Sequence, residues 1–190
     1  MVISYLLPMS KLTDSTTQQF KIYSLAQSHG STLIFTVLLS LSIFLPSFIH
    51  QQGITGPLIN AFLLLAVVWL GKSAAITLGL IPSVIALSRG LLPITLAPIV
   101  PFIMLANCLF VLVFSSFYKK SFSTAVILAA TSKFLFLYTV SQVLLVNLLP
   151  TKFLIPASQM FSWPQLATAL AGGLIAWLVI KEFFKPSRIN

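Results

Sequence analysis

The amino-acid sequence predicts an all-α integral membrane protein with six transmembrane helices in one bundle. The first observation is composition: 58% of the 190 residues are hydrophobic and only 7% are charged. Soluble domains have about 25% charged residues, so this chain cannot cover a surface in water. The second is a series of apolar stretches of roughly membrane-crossing length. The third is a strong bias of the basic residues toward alternate loops, as membrane insertion requires.

Prolines, glycines and charges divide the chain into six apolar segments. The segments cover about residues 28–49, 55–72, 73–88, 97–118, 121–149 and 164–184. The second and third are assigned only about 14–16 membrane residues each, short of the usual minimum of 17, so they are predicted to be tilted or broken, or to dip into the membrane as a re-entrant pair. We therefore expect a leader at 1–24, a six-helix domain at 25–185 and a tail at 186–190.

The basic residues predict the orientation of the bundle. With the N-terminus inside, the outer loops hold only Arg89 and Lys152. The inner segments hold eight, namely Lys11, Lys21, Lys72, Lys119, Lys120, Lys181, Lys185 and Arg188. The positive-inside rule then predicts a multi-pass protein of the cell (inner) membrane with both termini cytoplasmic. The net charge of +9 is explained by this topology and by contact with anionic lipid, not by nucleic-acid binding.

The scarcity of chemistry-bearing residues excludes several function classes. One cysteine (Cys108) and two histidines (His29 and His50) form neither a disulfide nor a Cys/His metal cluster. The only carboxylates, Asp14 and Glu182, lie near opposite termini, so a catalytic carboxylate pair is unavailable. The chain also has no nucleotide-binding P-loop. We expect no metal, no cofactor and no enzymatic activity of its own.

The most informative residue is Lys133, which interrupts the apolar stretch of the fifth segment. It lies 13 positions after Lys120, hence about 19 Å from the inner boundary, and Asn107 lies 12 positions before Lys119, hence about 18 Å. The hydrocarbon core is about 30 Å thick, so both residues are predicted at one level, a little to the outer side of its midplane, on consecutive helices.

Lys133 therefore needs a partner that its own helix does not supply. A lysine at this depth costs about 2.5–3.5 kcal/mol on insertion scales. At 100° per residue, Thr131, Tyr138 and Gln142 fall on the face opposite Lys133, and the one carboxylate within the six segments, Glu182, lies at the inner end of the sixth. A ligand or a water-filled cavity is the favoured partner, and a structural hydrogen bond to Asn107 or to a carbonyl oxygen is the alternative.

Four further side chains are candidates for the same site. Asn60 and Gln142 fall in the outer halves of their helices and either line this cavity or bond a neighbouring helix. Arg89 either forms an electropositive mouth above Lys133 or anchors the third helix at the interface. Trp163 either belongs to a lid or is an aromatic residue of the membrane interface.

Small residues predict two close helix contacts. In the first helix Thr32, Thr36 and Ser40 recur at four-residue spacing, which allows a neighbouring helix to approach closely. This row either packs within the bundle or docks another subunit. The sequence AGGL at 171–174 predicts close packing of the sixth helix.

The stretch TGPLINAFLLLAVVWLGKSAAITLGLIPSVIALSRGLLPITLAPIVPFIMLANCLFVLVF resembles the second-to-fourth-helix region of the substrate-binding S components of energy-coupling factor (ECF) transporters. The resemblance implies a high-affinity binder of a vitamin-like or other small nutrient, with its site in the outer half. It also implies a complex with a membrane coupling protein and two cytoplasmic ATPases. The row of Thr32, Thr36 and Ser40 matches the spacing of the family's docking residues, with hydroxyl residues where alanines are usual.

Two other classes remain open from the sequence. A structural or accessory subunit of a larger membrane complex would use Lys133 for an internal hydrogen bond. A small membrane enzyme would need a nucleophile or an acid/base pair, for which Lys133 with Asn107 is a minimal set.

Overall fold

The computed structural model describes residues 9–49, 51–88, 94–143, 154, 158–159 and 161–183; of residues 9–28, 52, 85–86 and 94–96 it describes the backbone alone. The described residues form six long α-helices and contain no strand, which confirms the predicted fold class. The helices are α1 (Met9–Phe48), α2 (Gln52–Leu70), α3 (Lys72–Ser88), α4 (Val100–Phe117), α5 (Phe122–Val143) and α6 (Trp163–Phe183), with a 3₁₀ segment at Ile94–Ile99 before α4.

Five of the six helices are long and apolar enough to cross a membrane, and α3 is the exception. Its apolar part, Lys72–Val84, agrees with the prediction of a short third helix. The prediction of a short second helix is wrong, because α2 has 19 residues and begins at Gln52. The backbone N–H groups of Ile54 and Thr55 donate to the Gln51 carbonyl at 3.0 and 3.1 Å, so the helix starts before Pro57.

The first helix is longer than the sequence predicts. α1 has 40 residues and begins at Met9 instead of near Ser28. At 1.5 Å per residue it spans about 60 Å, twice the thickness of a hydrocarbon core. Residues 9–24 of the predicted leader therefore continue α1 as helical backbone. The tail at 186–190 lies outside the described residues.

α6 packs against α2 and α5 through two glycines. A Cβ atom on Gly172 would lie 2.7 Å from both the Pro57 carbonyl oxygen and the Asn60 Cβ of α2. A Cβ atom on Gly173 would collide with the side chain of Val126 in α5. These approaches confirm the close packing predicted from AGGL, and they fix the position of Asn60 in the bundle.

The main apolar core lies between α2, α4 and α5. Phe110, Val111 and Phe114 of α4 are fully buried there. The Phe114 ring stacks on Tyr118 at 5.4 Å and meets Phe122 edge-on at 5.3 Å, which ties α4 to the start of α5. A smaller cluster lies nearer the other end of α4 and α5 and consists of Ile99, Ala106, Leu137, Val140 and Phe161.

Candidate functional site

The side chains of Lys133, Asn60 and Asn107, from three different helices, meet inside the bundle. The Lys133 ammonium nitrogen Nζ donates to Asn60 Oδ1 at 2.7 Å and to Asn107 Oδ1 at 2.9 Å. All three residues are buried. The prediction that Lys133 and Asn107 lie at one level is confirmed, and Asn60 of α2 joins them.

Asn107 is held in place by α3. Its amide nitrogen Nδ2 donates to the Gly79 carbonyl oxygen at 3.2 Å. A Cβ atom on Gly79 would lie 3.2 Å from the Asn107 Cβ, so glycine allows the close approach of α3 to α4. The amide orientation is fixed by its partners, because an ammonium group only donates and a carbonyl only accepts. Both polar atoms of Asn107 are thus used within the protein.

The positive charge of Lys133 has no carboxylate partner in the described residues. The ammonium nitrogen lies 5.3 Å from the centroid of the Phe110 ring, whose face attracts a cation weakly. The asparagine oxygens accept two of its three N–H donors, and no third hydrogen bond to a described residue is present. The charge is solvated by two amide dipoles but not neutralised.

A cavity of about 220 Å³ lies beside Lys133. Its lining comes mainly from the second halves of α1 and α3 and the first halves of α2, α4 and α6, on the side of the bundle that carries the α1–α2 turn; we call this the α1–α2 end. The lining residues are Ser42, Ile43, Pro46, Thr55, Gly56, Ile59, Asn60, Leu78, Gly79, Pro82, Ser83, Ile103, Asn107, Lys133, Gln165 and Thr168.

Hydroxyl groups of the lining are already oriented by the backbone. Ser42 Oγ donates to the Leu38 carbonyl at 2.7 Å, and Thr168 Oγ1 donates to the Gln165 carbonyl at 3.2 Å. Both residues are buried, and each hydroxyl oxygen, having donated its proton, can still accept a hydrogen bond. Sequence reasoning missed Ser42 and Thr168; the available signal was a hydroxyl residue inside an apolar helix near the α1–α2 end.

Two predicted site residues lie away from the cavity, and a third lies outside the described residues. Gln142 is exposed on the face of α5 opposite Lys133, and its Nε2 donates to Ser141 Oγ at 3.3 Å. Trp163 is 71% exposed at the start of α6 and does not appear in the cavity lining. Arg89 lies outside the described residues.

The hydroxyl row of α1 flanks the exposed side of that helix. Thr32 and Thr36 are exposed and Ser40 is half-buried. Thr36 Oγ1 donates to the Thr32 carbonyl at 2.9 Å, which satisfies its hydroxyl inside an apolar environment. Of the five long apolar helices, α1 has the smallest buried share within the described bundle.

Fold and site together define a helical membrane protein with a largely apolar cavity that reaches a buried lysine. The described residues contain no group of three or more metal-ligating side chains. No family model, curated protein or solved structure matches the chain.

Proposed function

We propose that this protein is the membrane-embedded substrate-binding subunit of an ECF-type uptake transporter, and that it binds a small anionic nutrient in the cavity beside Lys133. One observation carries the proposal. A buried ammonium lines the cavity, and the one carboxylate within the apolar segments, Glu182, lies in the last turn of α6, at the opposite end of the bundle.

The energetics favour an anion as the occupant. A buried charge is costly unless it is both paired and hydrogen-bonded, and Lys133 has hydrogen bonds without a counter-charge. An anion entering the cavity would supply that charge in a medium of low dielectric constant, where the attraction is strong. Intramembrane charges with this environment generally mark a substrate or ion pathway.

Neutralisation also gives a reason for transport of the loaded form. The empty cavity carries one positive charge, whereas the cavity with a monovalent anion is electrically neutral. Because moving an uncompensated charge relative to lipid is costly, the loaded protein reorients more readily than the empty one. The protein would therefore change its orientation in the membrane mainly when substrate is bound.

The charge distribution supports a cavity facing the outside of the cell. Lys72, Lys119, Lys120 and Lys181 lie at the end of the bundle opposite the α1–α2 end. The positive-inside rule places that basic end in the cytoplasm of the cell, and therefore the cavity in the outer half of the membrane. Arg89 follows the last turn of α3 and is proposed to attract anions toward the opening.

Thiol labelling tests this orientation. In a Cys108→Ser background, Gln51→Cys in the α1–α2 turn is expected to react with a membrane-impermeant maleimide on intact cells. Lys119→Cys, in the turn between α4 and α5, is expected to react only after the membrane is permeabilised. The reverse pattern would place the cavity on the cytoplasmic side and contradict uptake through it.

Energy for transport is proposed to come from partners. The chain has no P-loop of its own, so the coupling protein and two cytoplasmic ATPases implied by the resemblance would supply ATP hydrolysis. The exposed hydroxyl row of Thr32 and Thr36, with the half-buried Ser40, supports α1 as the docking helix. Small side chains at this spacing allow a partner helix to approach within van der Waals contact.

Gentle purification followed by native mass spectrometry tests the proposal. We expect a bound small molecule on the wild-type protein. We expect it to be lost in Lys133→Met, which keeps a side chain of similar length but removes the charge. Truncating one partner of a buried charge pair weakens binding by about 2–5 kcal/mol, enough to lose the ligand during purification. The matched control is Lys119→Met, since Lys119 is exposed at the other end of the bundle.

The same preparation addresses the alternative of an accessory subunit. That alternative draws on the two hydrogen bonds of Lys133, which would suit a purely structural cross-link between α2, α4 and α5. Co-purification with a coupling protein and ATPases would support the transporter proposal. A wild-type protein free of small molecules, in stoichiometric complex with a different membrane assembly, would contradict it.

A further inference from the structure

The side-chain amide nitrogen of Asn60 is a donor without a use in the described structure. Asn60 is 2% exposed, and its Oδ1 accepts from Lys133 at 2.7 Å. Because Lys133 can only donate, the oxygen must face it and Nδ2 must point elsewhere. No hydrogen bond from this nitrogen to a described residue is present, although buried donors are nearly always paired. Since Asn60 also lines the cavity, its amide nitrogen is available to donate a hydrogen bond to an acceptor atom of a ligand.

Lys133 and Asn60 together offer two free donors to the cavity. Lys133 has one N–H beyond the two that the asparagines accept, and Asn60 has its Nδ2. Asn107 adds no donor, because its Nδ2 is engaged by Gly79. The complementary group is therefore one that accepts two hydrogen bonds. A neutral hydroxyl or primary amide can also accept hydrogen bonds, but it carries no charge to compensate the ammonium.

The charge of Lys133 further limits which ligand group can bind beside it. Lys133 is the one cationic side chain among the described residues that line the cavity. A monovalent anion neutralises it, whereas a dianion would leave one negative charge buried and unpaired. A carboxylate has a single charge and two acceptor oxygens, one for each of the two free donors.

The size and walls of the cavity limit the rest of the molecule. Its volume of about 220 Å³ is below the range of about 300–1,000 Å³ for pockets that enclose drug-sized ligands. Ile59, Leu78 and Ile103 provide apolar wall next to the polar group. A short aliphatic chain fits these walls.

We propose that the substrate class is a small monocarboxylate whose carboxylate accepts hydrogen bonds from Lys133 Nζ and Asn60 Nδ2. This inference rests on the proposed binding function and specifies its ligand. It also assigns Asn60 a direct contact with substrate, in contrast to Asn107, which positions the lysine and has no free donor.

Thermal unfolding in lipid nanodiscs, followed by tryptophan fluorescence, tests the inference with defined probes. The probes are straight-chain carboxylates from acetate to hexanoate, with butyramide and monobutyl phosphate as comparisons. We expect at least one carboxylate to raise the unfolding midpoint by about 3 °C at saturation, as a ligand that binds only the folded state does. Butyramide and monobutyl phosphate are expected to give no comparable shift.

Asn60→Asp gives the sharpest variant, because it places a carboxylate of similar shape beside the ammonium. We expect the probe-free variant to unfold at or above the wild-type midpoint, since the new charge pairs with Lys133 and only an unused donor is removed. The response to carboxylates is expected to disappear. Thr131→Ala, on the exposed face of α5, the helix that carries Lys133, is the matched control and should keep that response.

Each other outcome overturns the inference in a defined way. An equal shift with butyramide would mean recognition by the apolar walls alone, and a larger shift with monobutyl phosphate would mean a phosphate-type ligand. A carboxylate response that survives Asn60→Asp would place the binding group elsewhere. If no carboxylate shifts the midpoint while mass spectrometry still finds a molecule that depends on Lys133, the ligand class is wrong and the binding function stands. If both fail, the binding function fails as well.

Discussion

Replacing Gly172 by alanine is expected to lower the free energy of unfolding by about 3 kcal/mol, although alanine is the better helix former. The added Cβ would lie 2.7 Å from the Pro57 carbonyl oxygen and 3.0 Å from the Ala61 nitrogen. Both are backbone atoms and cannot turn away, so α6 and α2 must separate. Because Asn60 Cβ lies at the same contact, the separation also moves Asn60 relative to Lys133.

Gly30→Ala is the matched control for this prediction. Gly30 is exposed in α1 and an added Cβ would have no neighbour within 4 Å. There the change should stabilise by about 0.5–1 kcal/mol through helix propensity alone. Denaturant unfolding in mixed micelles measures both variants. Equal effects of the two substitutions would mean that the α2–α6 contact is not close-packed, and would contradict the described bundle.

Replacing Asn107 by leucine is expected to destabilise the unliganded protein by about 2–4 kcal/mol, because it breaks two buried hydrogen bonds at once. The ammonium of Lys133 loses its acceptor at 2.9 Å, and the Gly79 carbonyl loses its donor at 3.2 Å. Leucine has a similar volume, so packing changes contribute little. The midpoint and slope of denaturant unfolding give the free energy.

Asn60→Leu provides the comparison, since it removes one hydrogen bond instead of two. The described structure gives Asn60 a bond to Lys133 and no other side-chain bond. We therefore expect about half the loss, roughly 1–2 kcal/mol. A larger loss for Asn60→Leu than for Asn107→Leu would show that Asn60 has a structural partner, and would remove the argument that its amide is free for substrate.

Much of the site could be predicted because the depth of a residue in the membrane follows from the number of residues between it and the end of its helix. A fixed rise per residue placed Lys133 and Asn107 at one level, and the structure joins them by a hydrogen bond. Counting also indicated the direction of side chains, since Thr131, Tyr138 and Gln142 were placed opposite Lys133 and all three are exposed. Gln142 was also predicted to line the cavity, although the same angular count places it on the opposite face of α5 from Lys133.

The remainder depended on helix rotation and on backbone atoms, which residue types do not specify. The acceptor for Asn107 is the backbone carbonyl of Gly79, which every residue type has and which the sequence therefore cannot single out. Gly172 was recognised as a close contact, but its partner Asn60 could be found only from the packing of α6 on α2. The start of α2 at Gln52 was missed because the apolar pattern begins only at about residue 55, three residues after the first residue of α2.

The central claim is that Lys133 binds an anion from the cavity, and high-resolution electron cryomicroscopy of the gently purified protein tests it most directly. The account predicts non-protein density in the cavity, with an acceptor atom about 2.7–2.9 Å from Lys133 Nζ, the usual length of a charge-assisted hydrogen bond. A cavity that holds only water or a lipid tail, with Lys133 bonded to Asn60 and Asn107 alone, would contradict it.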